Sequence, residues 1–148
     1  MKVLIQRVNA AQVSVDNEII SEIKRGLLVF VGVKPTDTME EAIFLAEKVA
    51  NLRLFPRENQ EFDLSVIDAK FELLIVSQFT LYGGCDKGRR PDFFDAARPE
   101  IAEPLYESFV KLLKDKNIPV QTGKFGAHMV VSLQNDGPAT FTLEKNHN

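Results

Sequence analysis

The first third of the chain mixes apolar and polar residues in a way that predicts β-strands. In the opening segment KVLIQRV, Val3 and Ile5 are expected to face inward, and polar side chains separate them from Val8. The segments AQVSV and EIISEI flank Asp16-Asn17, a pair that predicts a tight hairpin turn. The run GLLVFVGV that follows is continuously apolar and bounded by glycines, which predicts a strand covered on both faces.

A helical pattern comes next. Asp37 is expected to cap this helix, with Glu40 three residues on to complete a capping box. One apolar face then recurs at helical spacing, at Ala42, Leu45, Val49 and Leu52. The segment FPRENQEF breaks the pattern as a loop or hairpin would, and KFELLIVSQFT predicts a second long buried strand.

A second helix is expected to begin near Arg98-Pro99, because proline is favoured in a first helical turn. Its apolar stripe is predicted to be Ala102, Leu105, Phe109 and Leu112. The tail then predicts a short strand, a glycine-rich turn, the strand MVVSL, a Gly-Pro turn and the strand TFTL. With no repeat or linker, residues 1–148 are predicted to form a single compact α+β domain whose two helices cover one sheet face.

The amino-acid composition indicates which class of protein the chain belongs to. The 148 residues are 45% hydrophobic and 26% charged, which is typical of a globular domain and not of a disordered chain. No segment approaches the roughly 18 consecutive apolar residues of a membrane span. The apolar part of MKVLIQRV is short for a signal peptide, so a cytoplasmic location without membrane association is expected. The single cysteine, Cys85, cannot form an internal disulfide and agrees with a reducing compartment.

Several common kinds of catalytic site are missing from the sequence. The only histidines are His128 and His147, and neither belongs to a metal-binding spacing. There is no phosphate-binding loop and no G-x-S-x-G nucleophile motif. We therefore expect no metal and no cofactor, and histidine acid–base catalysis is poorly supported.

Three short motifs remain as candidates for chemistry, and each also has a purely structural interpretation. Ser77, Gln78 and Thr80 place hydrogen-bonding groups at a strand end, where they either stabilise developing negative charge or simply satisfy the strand. NDGP, residues 135–138, is on pattern alone an ordinary β-turn, with a cis Gly-Pro bond the rarer alternative. TGKFGAHM, residues 122–129, is either a pocket wall or a bulged hairpin.

Taken together, the motifs resemble those of the D-aminoacyl-tRNA deacylase family, also called D-tyrosyl-tRNA deacylase. LIQRV, GLLVFVGV, VSQFTL, KGRRPDF, TGKFGAHM and NDGPATF occur in the family's order and spacing, from Met1 to about Leu143. The resemblance implies a homodimer of curved, largely antiparallel β-sheets flanked by helices, with two sites at the subunit interface. It also implies hydrolysis of the ester that joins a D-amino acid, or glycine, to the 3′ end of tRNA.

The resemblance further implies roles for particular residues. The Ser-Gln-x-Thr motif corresponds to Ser77, Gln78, Phe79 and Thr80, whose backbone N–H groups polarise the ester carbonyl. A Gly-cis-Pro motif corresponds to Gly137 and Pro138, which reach into the partner's site and block the side chain of an L-amino acid. The adenosine-binding wall is expected to include Phe125, Gly126, Ala127 and Met129, and Arg7 to orient the Gly-Pro loop.

Other points are less closely specified by the resemblance. Lys87, Arg89 and Arg90 are expected to meet tRNA phosphates, in a loop that on pattern alone is only solvated. The segment NQEFDLSV departs from the usual family sequence, and His128 receives no role. Attack by water, helped by the 2′-hydroxyl of the terminal adenosine, is favoured over attack by Thr80. The alternatives are a non-catalytic RNA-binding module, and an editing enzyme for L-alanine on tRNA, whose family has a trans Gly-Pro bond.

Overall fold

A computed structural model describes residues 1–148. Its main sheet has six strands: β1 (Lys2–Val15), β2 (Glu18–Ile23), β3 (Gly26–Gly32), β6 (Glu72–Ser77), β7 (Val120–Thr122) and β8 (Val130–Glu144). A separate hairpin pairs β4 (Phe55–Arg57) with β5 (Gln60–Leu64). The helices are α1 (Met39–Asn51), α2 (Val66–Ala69) and α3 (Pro99–Lys114), and a short 3₁₀ helix spans Phe79–Tyr82. None of these helices has the length and apolarity needed to cross a membrane.

The long first strand organises the main sheet. β1 pairs antiparallel with β3 and β2 along one edge and with β8 along the other. β3, β6 and β7 then run parallel to one another, so the sheet is mixed. The predicted hairpin turn is confirmed, because Asp16 and Asn17 adopt φ values of 51° and 64° between β1 and β2. The predicted α+β class is confirmed as well.

The continuous apolar run of β3 is covered on both faces, as predicted. Alternate residues of β3 and β6, such as Leu27 and Leu73, belong to the larger core cluster, which also contains the inner faces of α1 and α3. Leu28, Leu74 and Val76 belong to a smaller cluster on the other face, with β1 residues such as Val13. Because side chains alternate across a strand, a strand between two cores must be apolar at every position.

Helix α1 begins one residue later than the sequence suggested, so the prediction that Asp37 caps it was wrong. Thr38 is the N-cap, and Glu41 completes the capping box by accepting the backbone N–H of Thr38 at 2.6 Å. Asp37 is instead occupied by longer-range partners, since its carboxylate accepts from the Met1 ammonium and the Lys34 N–H, both at 2.7 Å. A buried carboxylate with two donors is no longer available as a cap.

The capping carboxylate of Glu41 is fully buried. Burial alone raises its pKa, but hydrogen bonds from the Thr38 backbone and hydroxyl and from His147 outweigh burial and lower the pKa to about 2. The carboxylate therefore remains charged in the folded protein at mildly acidic pH.

Helix α3 begins at Pro99, as predicted, but its buried face is rotated relative to the prediction. Its buried residues are Ala102, Tyr106, Phe109, Val110 and Leu113, whereas the predicted Leu105 and Leu112 are only partly buried. The difference arises because the Tyr106 hydroxyl donates to the carbonyl oxygen of Ile75 in β6, at 2.9 Å. This hydrogen bond places a tyrosine in the centre of the helix–sheet contact.

The Gly-Pro segment does not separate two strands, as the tail pattern had suggested, but lies within β8. The β1–β8 register shifts between Gln6, which pairs with Thr140, and Val8, which pairs with Asn135. Residues 136–139 therefore bulge from the ladder. The Asn135 side chain stabilises the bulge by donating to the carbonyl oxygen of Arg7 at 3.1 Å. The Gly137-Pro138 peptide bond is cis.

Candidate active site

A cavity of about 550 Å³ opens where β3 and β6 end. Its walls come from four separate parts of the chain: the ends of these two strands, the start of the 3₁₀ helix, the segment from Phe93 to Tyr106, and residues 125–131. Most of the lining is apolar, with a few polar groups at one end, which is the usual composition of a small-molecule site.

The polar end of the cavity is formed by the SQFT motif. Ser77 ends β6 and lines the cavity together with Gln78 and Phe79. The Gln78 N–H donates to the carbonyl oxygen of Val31 at 2.8 Å, which continues the β3–β6 ladder by one bond and fixes the start of the turn. The Gln78 side-chain amide donates to the Thr80 hydroxyl. Thr80 itself is exposed and does not line the cavity.

The backbone changes direction at this motif. Phe79 and Thr80 are the first two residues of the 3₁₀ helix. A 3₁₀ hydrogen bond joins a carbonyl to the N–H three residues later, so these two N–H groups have no acceptor inside the helix. The polar groups at this end of the cavity thus include main-chain donors as well as side chains.

A further part of the lining comes from residues 125–131 and is mainly apolar. Phe125, Gly126, Ala127 and Met129 all line the cavity, and His128 joins them. Gly126 has φ of +75°, a conformation that glycine adopts without strain. The cavity therefore brings together the 125–129 segment and Ser77, Gln78 and Phe79.

Helix α3 contributes residues that the sequence patterns did not identify. Ala102 and Tyr106 line the cavity, and the Tyr106 ring lies 5.8 Å from the Phe125 ring centre. Burial, reinforced by the Glu107 carboxylate, raises the pKa of Tyr106 above its ordinary value, so the phenol stays protonated and donates to Ile75. The available signal was a tyrosine at helical spacing from Ala102 and Phe109, a position where an aliphatic residue is usual.

Arg7 is buried outside the cavity and fixes the bulge in β8. Its guanidinium donates to the carbonyl oxygens of Asp136 at 3.1 Å and Leu54 at 2.9 Å. It also pairs with the carboxylates of Asp136 at 3.1 Å and Glu61 at 2.5 Å. Gly137 and Pro138, which this network holds, are exposed and do not line the cavity of their own chain.

The predicted basic loop is also outside the cavity. Lys87, Arg89 and Arg90 are exposed, and none of them forms a salt bridge. The structure therefore leaves their charges available to an anionic partner.

The charges of the cavity limit the chemistry that it can perform. No carboxylate and no cysteine lines it, and its only ionisable side chains are Arg98, Tyr106 and His128. Three potential metal ligands, Glu40, Glu41 and His147, lie within 4.8 Å of one another, but at the start of α1 and away from the cavity. The lining is therefore mainly apolar and contains few ionisable groups.

Comparison with known proteins adds to this geometry. The model of the D-Tyr-tRNA(Tyr) deacylase family matches residues 4–144. The chain belongs to this family. It is 51% identical over 144 residues to the D-aminoacyl-tRNA deacylase of Clostridioides difficile (strain 630), covering 97% of each protein. It is 53% identical to the D-aminoacyl-tRNA deacylase of Thermosipho africanus (strain TCF52B), again covering 97% of each.

Two solved structures share the fold of this chain. The c-Myc DNA Unwinding Element Binding Protein superposes with a TM-score of 0.93 at 43% identity, and the match covers 99% of this chain and 100% of that one. A probable eukaryotic D-amino acid tRNA deacylase superposes with a TM-score of 0.79, covering 96% and 97% of the two chains. At 17% identity, the second likeness concerns the fold alone.

Proposed function

We propose that this family member is a hydrolase that cleaves the ester between a D-amino acid and the 3′ end of tRNA. The observation that carries the proposal is the cavity, which joins the SQFT strand end to the apolar 125–129 wall in a chain of this family. The products are the free D-amino acid and the tRNA, so the enzyme serves proofreading in translation. The reaction consumes water and uses no cofactor.

The proposed site works mainly by positioning and by main-chain donors. An aminoacyl ester is already activated, so orientation and an oxyanion-binding backbone supply much of the rate. The ester carbonyl accepts from the N–H group of Phe79, which lines the cavity and is the first residue of the 3₁₀ helix. Water attacks the carbonyl carbon with help from the 2′-hydroxyl of the terminal adenosine, and the 3′-oxygen leaves with a proton.

The apolar residues of the 125–129 segment bind the adenosine half of the substrate. The adenine base of the terminal adenosine is planar and fits against Phe125 and Met129. Gly126 and Ala127 have little or no side chain, so they allow the base to approach closely. Gln78 orients the aminoacyl group from the polar end. The Thr80 hydroxyl, which accepts from Gln78 and lies outside the lining, supports the turn and is not the nucleophile.

Selectivity for D-amino acids is proposed to come from a second copy of the chain. The Gly137-Pro138 bulge is exposed and is fixed from below by Arg7, so it is available to the cavity of a partner in a homodimer. Its carbonyl groups would then occupy the space that the side chain of an L-amino acid needs. Glycine has no side chain, so glycyl-tRNA passes the same steric filter.

The dimeric arrangement is testable by mixing two defective variants. One variant carries Gly126→Trp in the cavity wall, and the other carries Gly137→Trp in the bulge. If each cavity uses the bulge of the other copy, a mixed dimer contains one intact combination and recovers part of the D-selective activity. Sedimentation as a monomer at assay concentrations, or no recovery on mixing, contradicts the arrangement in trans.

A second candidate is a non-catalytic RNA-binding module, favoured by the unpaired basic loop at Lys87, Arg89 and Arg90. Turnover separates the two functions. The purified chain is incubated with D-tyrosyl-tRNA in the presence of a chelator, and released tyrosine is measured beside tRNA binding. Release with many turnovers supports the hydrolase, whereas binding without release supports the module. An L-alanyl-tRNA substrate in the same assay tests the alternative of L-alanine editing.

A further inference from the structure

An aromatic and basic segment, residues 84–98, projects beside the cavity. Phe94 is the most exposed aromatic residue of the chain, with 88% of its surface accessible. The neighbouring Phe93 is half as exposed, and its ring lies 5.1 Å from that of Phe79 in the cavity wall. A single exposed phenylalanine is ordinary on a protein surface, but Phe94 directly follows the Phe93–Phe79 aromatic pair beside the cavity, and exposed apolar groups that cluster at a groove mark a binding site.

The segment is held in place at both ends. Gly84 and Asp92 exchange two backbone hydrogen bonds, at 2.8 and 2.9 Å, which close the loop. The Ala97 N–H donates to the carbonyl oxygen of Val33 at 2.8 Å, which attaches the other end to the end of β3. Phe94 is therefore presented on an anchored backbone, so little ordering entropy is lost when a ligand stacks on it.

Phe94 is next to the mouth of the cavity. Its sequence neighbours Phe93 and Ala96 both line the cavity, and so does Arg98 further along. The rest of an RNA chain cannot fit inside about 550 Å³, so a nucleotide bound in the cavity is joined to its chain across the rim, and Phe94 lies beside one part of that rim.

The charges of the segment favour an anionic ligand. It contains four basic and three acidic residues, and none of the seven forms a salt bridge. Arg98 is the N-cap residue of α3 and lines the cavity. Its guanidinium forms no salt bridge, so this permanently charged donor is free to pair with a phosphodiester.

We propose that Phe94 and Arg98 bind the nucleotide that precedes the terminal adenosine of the tRNA. The base of that nucleotide stacks on the Phe94 ring, and Arg98 pairs with the phosphodiester that joins it to the adenosine. This inference rests on the proposed function, since it assumes that the cavity holds the 3′-terminal aminoacyl-adenosine. The combination of an exposed aromatic platform and a cationic rim is the usual means of binding single-stranded nucleic acid without reading its sequence.

The test compares two substrates that differ only in the proposed contact. D-tyrosyl-tRNA carries the preceding nucleotide and its phosphodiester, whereas D-tyrosyl-adenosine ends at the ribose and carries neither. Phe94→Ala removes the stacking surface and Phe94→Trp retains one. Phe44→Ala is the matched control, because Phe44 is also an exposed phenylalanine but lies on α1, away from the cavity.

The expected result is a selective loss of affinity. Phe94→Ala raises KM for D-tyrosyl-tRNA by roughly 5- to 150-fold, the range for one stacked base, with kcat changed by less than about twofold. The KM for D-tyrosyl-adenosine is unchanged, and Phe94→Trp and Phe44→Ala behave as wild type on both substrates. Arg98→Gln reduces the slope of log KM against log salt by about 0.7 for the tRNA substrate, as expected when one phosphate contact is lost.

Contrary outcomes separate this inference from the proposed function. If the wild-type chain cleaves neither substrate, the proposed function fails and the inference fails with it. If the wild type cleaves D-tyrosyl-tRNA but Phe94→Ala leaves its KM unchanged, or raises KM equally for both substrates, only the inference is wrong. If Phe94→Ala sediments as a monomer where the wild type sediments as a dimer, the Phe94 ring contacts a second copy of the chain. That result also overturns the inference.

Discussion

Replacing Arg7 with alanine tests whether one buried guanidinium holds the Gly137-Pro138 bulge. Only 2% of the Arg7 surface is exposed. The guanidinium joins three elements, because it donates to the Leu54 carbonyl before β4 and pairs with Asp136 in β8 and Glu61 in β5. No neutral side chain can supply this set of donors.

The expected loss in the free energy of unfolding follows from how exposed each hydrogen-bonding partner of Arg7 is. The buried carbonyl oxygen of Leu54 loses a charged donor, which costs about 1.5–3 kcal/mol. The side chains of Glu61 and Asp136 are 56% and 33% exposed, so each ion pair contributes only about 0–1 kcal/mol. The Arg7 cation also lies 5.6 Å from the Phe62 ring centre. Taken together, these contributions predict that Arg7→Ala lowers the free energy of unfolding by about 1.5–5 kcal/mol.

Urea unfolding followed by circular dichroism measures the effect. The matched control is Arg57→Ala, because Arg57 pairs with Asp63 at 2.7 Å in the same hairpin but is 62% exposed. Arg57→Ala should lower the free energy of unfolding by less than about 1 kcal/mol. Arg7→Lys keeps the charge but loses the planar fork, and should fall between wild type and alanine. If Arg7→Ala costs no more than Arg57→Ala at equal m-value, the reasoning is refuted.

Three further predictions concern single residues. The folded-state pKa of Glu41 is lowered to about 2, so the stability it contributes is complete above an unfolded pKa of 4.5 and is lost as pH falls towards 2. The free energy of unfolding of Glu41→Gln, measured with urea between pH 6 and pH 2, should fall less over this window than that of the wild type. A pH profile identical to that of the wild type contradicts the lowered pKa of Glu41. Tyr106→Phe should lower the free energy of unfolding by only about 1 kcal/mol in the same assay, because the Ile75 carbonyl oxygen still accepts from a backbone N–H. A loss above about 3 kcal/mol would be inconsistent with this second donor. Thr80→Ala should keep D-tyrosyl-tRNA hydrolysis within about tenfold of wild type in single-turnover assays, whereas a loss of about a thousandfold or more would identify an essential nucleophile.

Local sequence patterns predicted most of the regular elements for identifiable reasons. The hairpin at Asp16-Asn17 needs two residues that tolerate positive φ, and the sequence supplies them where two alternating segments meet. The continuous apolar runs of β3 and β6 reflect cores on both faces of the sheet. Proline at the start of α3 marked that boundary correctly because Pro99 needs no hydrogen-bond acceptor in a first turn.

The errors occurred where a distant part of the chain decides the local structure. Asp37 looked like a cap, but the Lys34 N–H and the Met1 ammonium occupy its carboxylate, and Thr38 takes the cap. The α3 stripe is centred on Tyr106 because its hydroxyl binds Ile75, thirty-one residues earlier in the sequence. No local periodicity contains these contacts.

The candidate site was only partly predictable for the same reason. The two motifs at residues 77–80 and 125–129 were visible in the sequence, and the structure places most of their residues around one cavity. The lining from Phe93 to Tyr106 was not predicted as part of the site. Phe93 only ends the KGRRPDF motif, and Arg98 and Tyr106 reach the cavity through the fold and not through a local pattern. The relation between the cavity and the Gly137-Pro138 bulge depends on a second copy of the chain and stays a prediction.

The most direct test of the central claim compares the two enantiomers of one substrate. D-tyrosyl-tRNA and L-tyrosyl-tRNA are each mixed with an excess of the purified chain, and the first-order rate of tyrosine release is measured under identical conditions. The D-ester should be cleaved at least about 100-fold faster, a difference of about 2.7 kcal/mol between the two transition states. Equal rates for the two esters, or no acceleration of either over buffer, would contradict it.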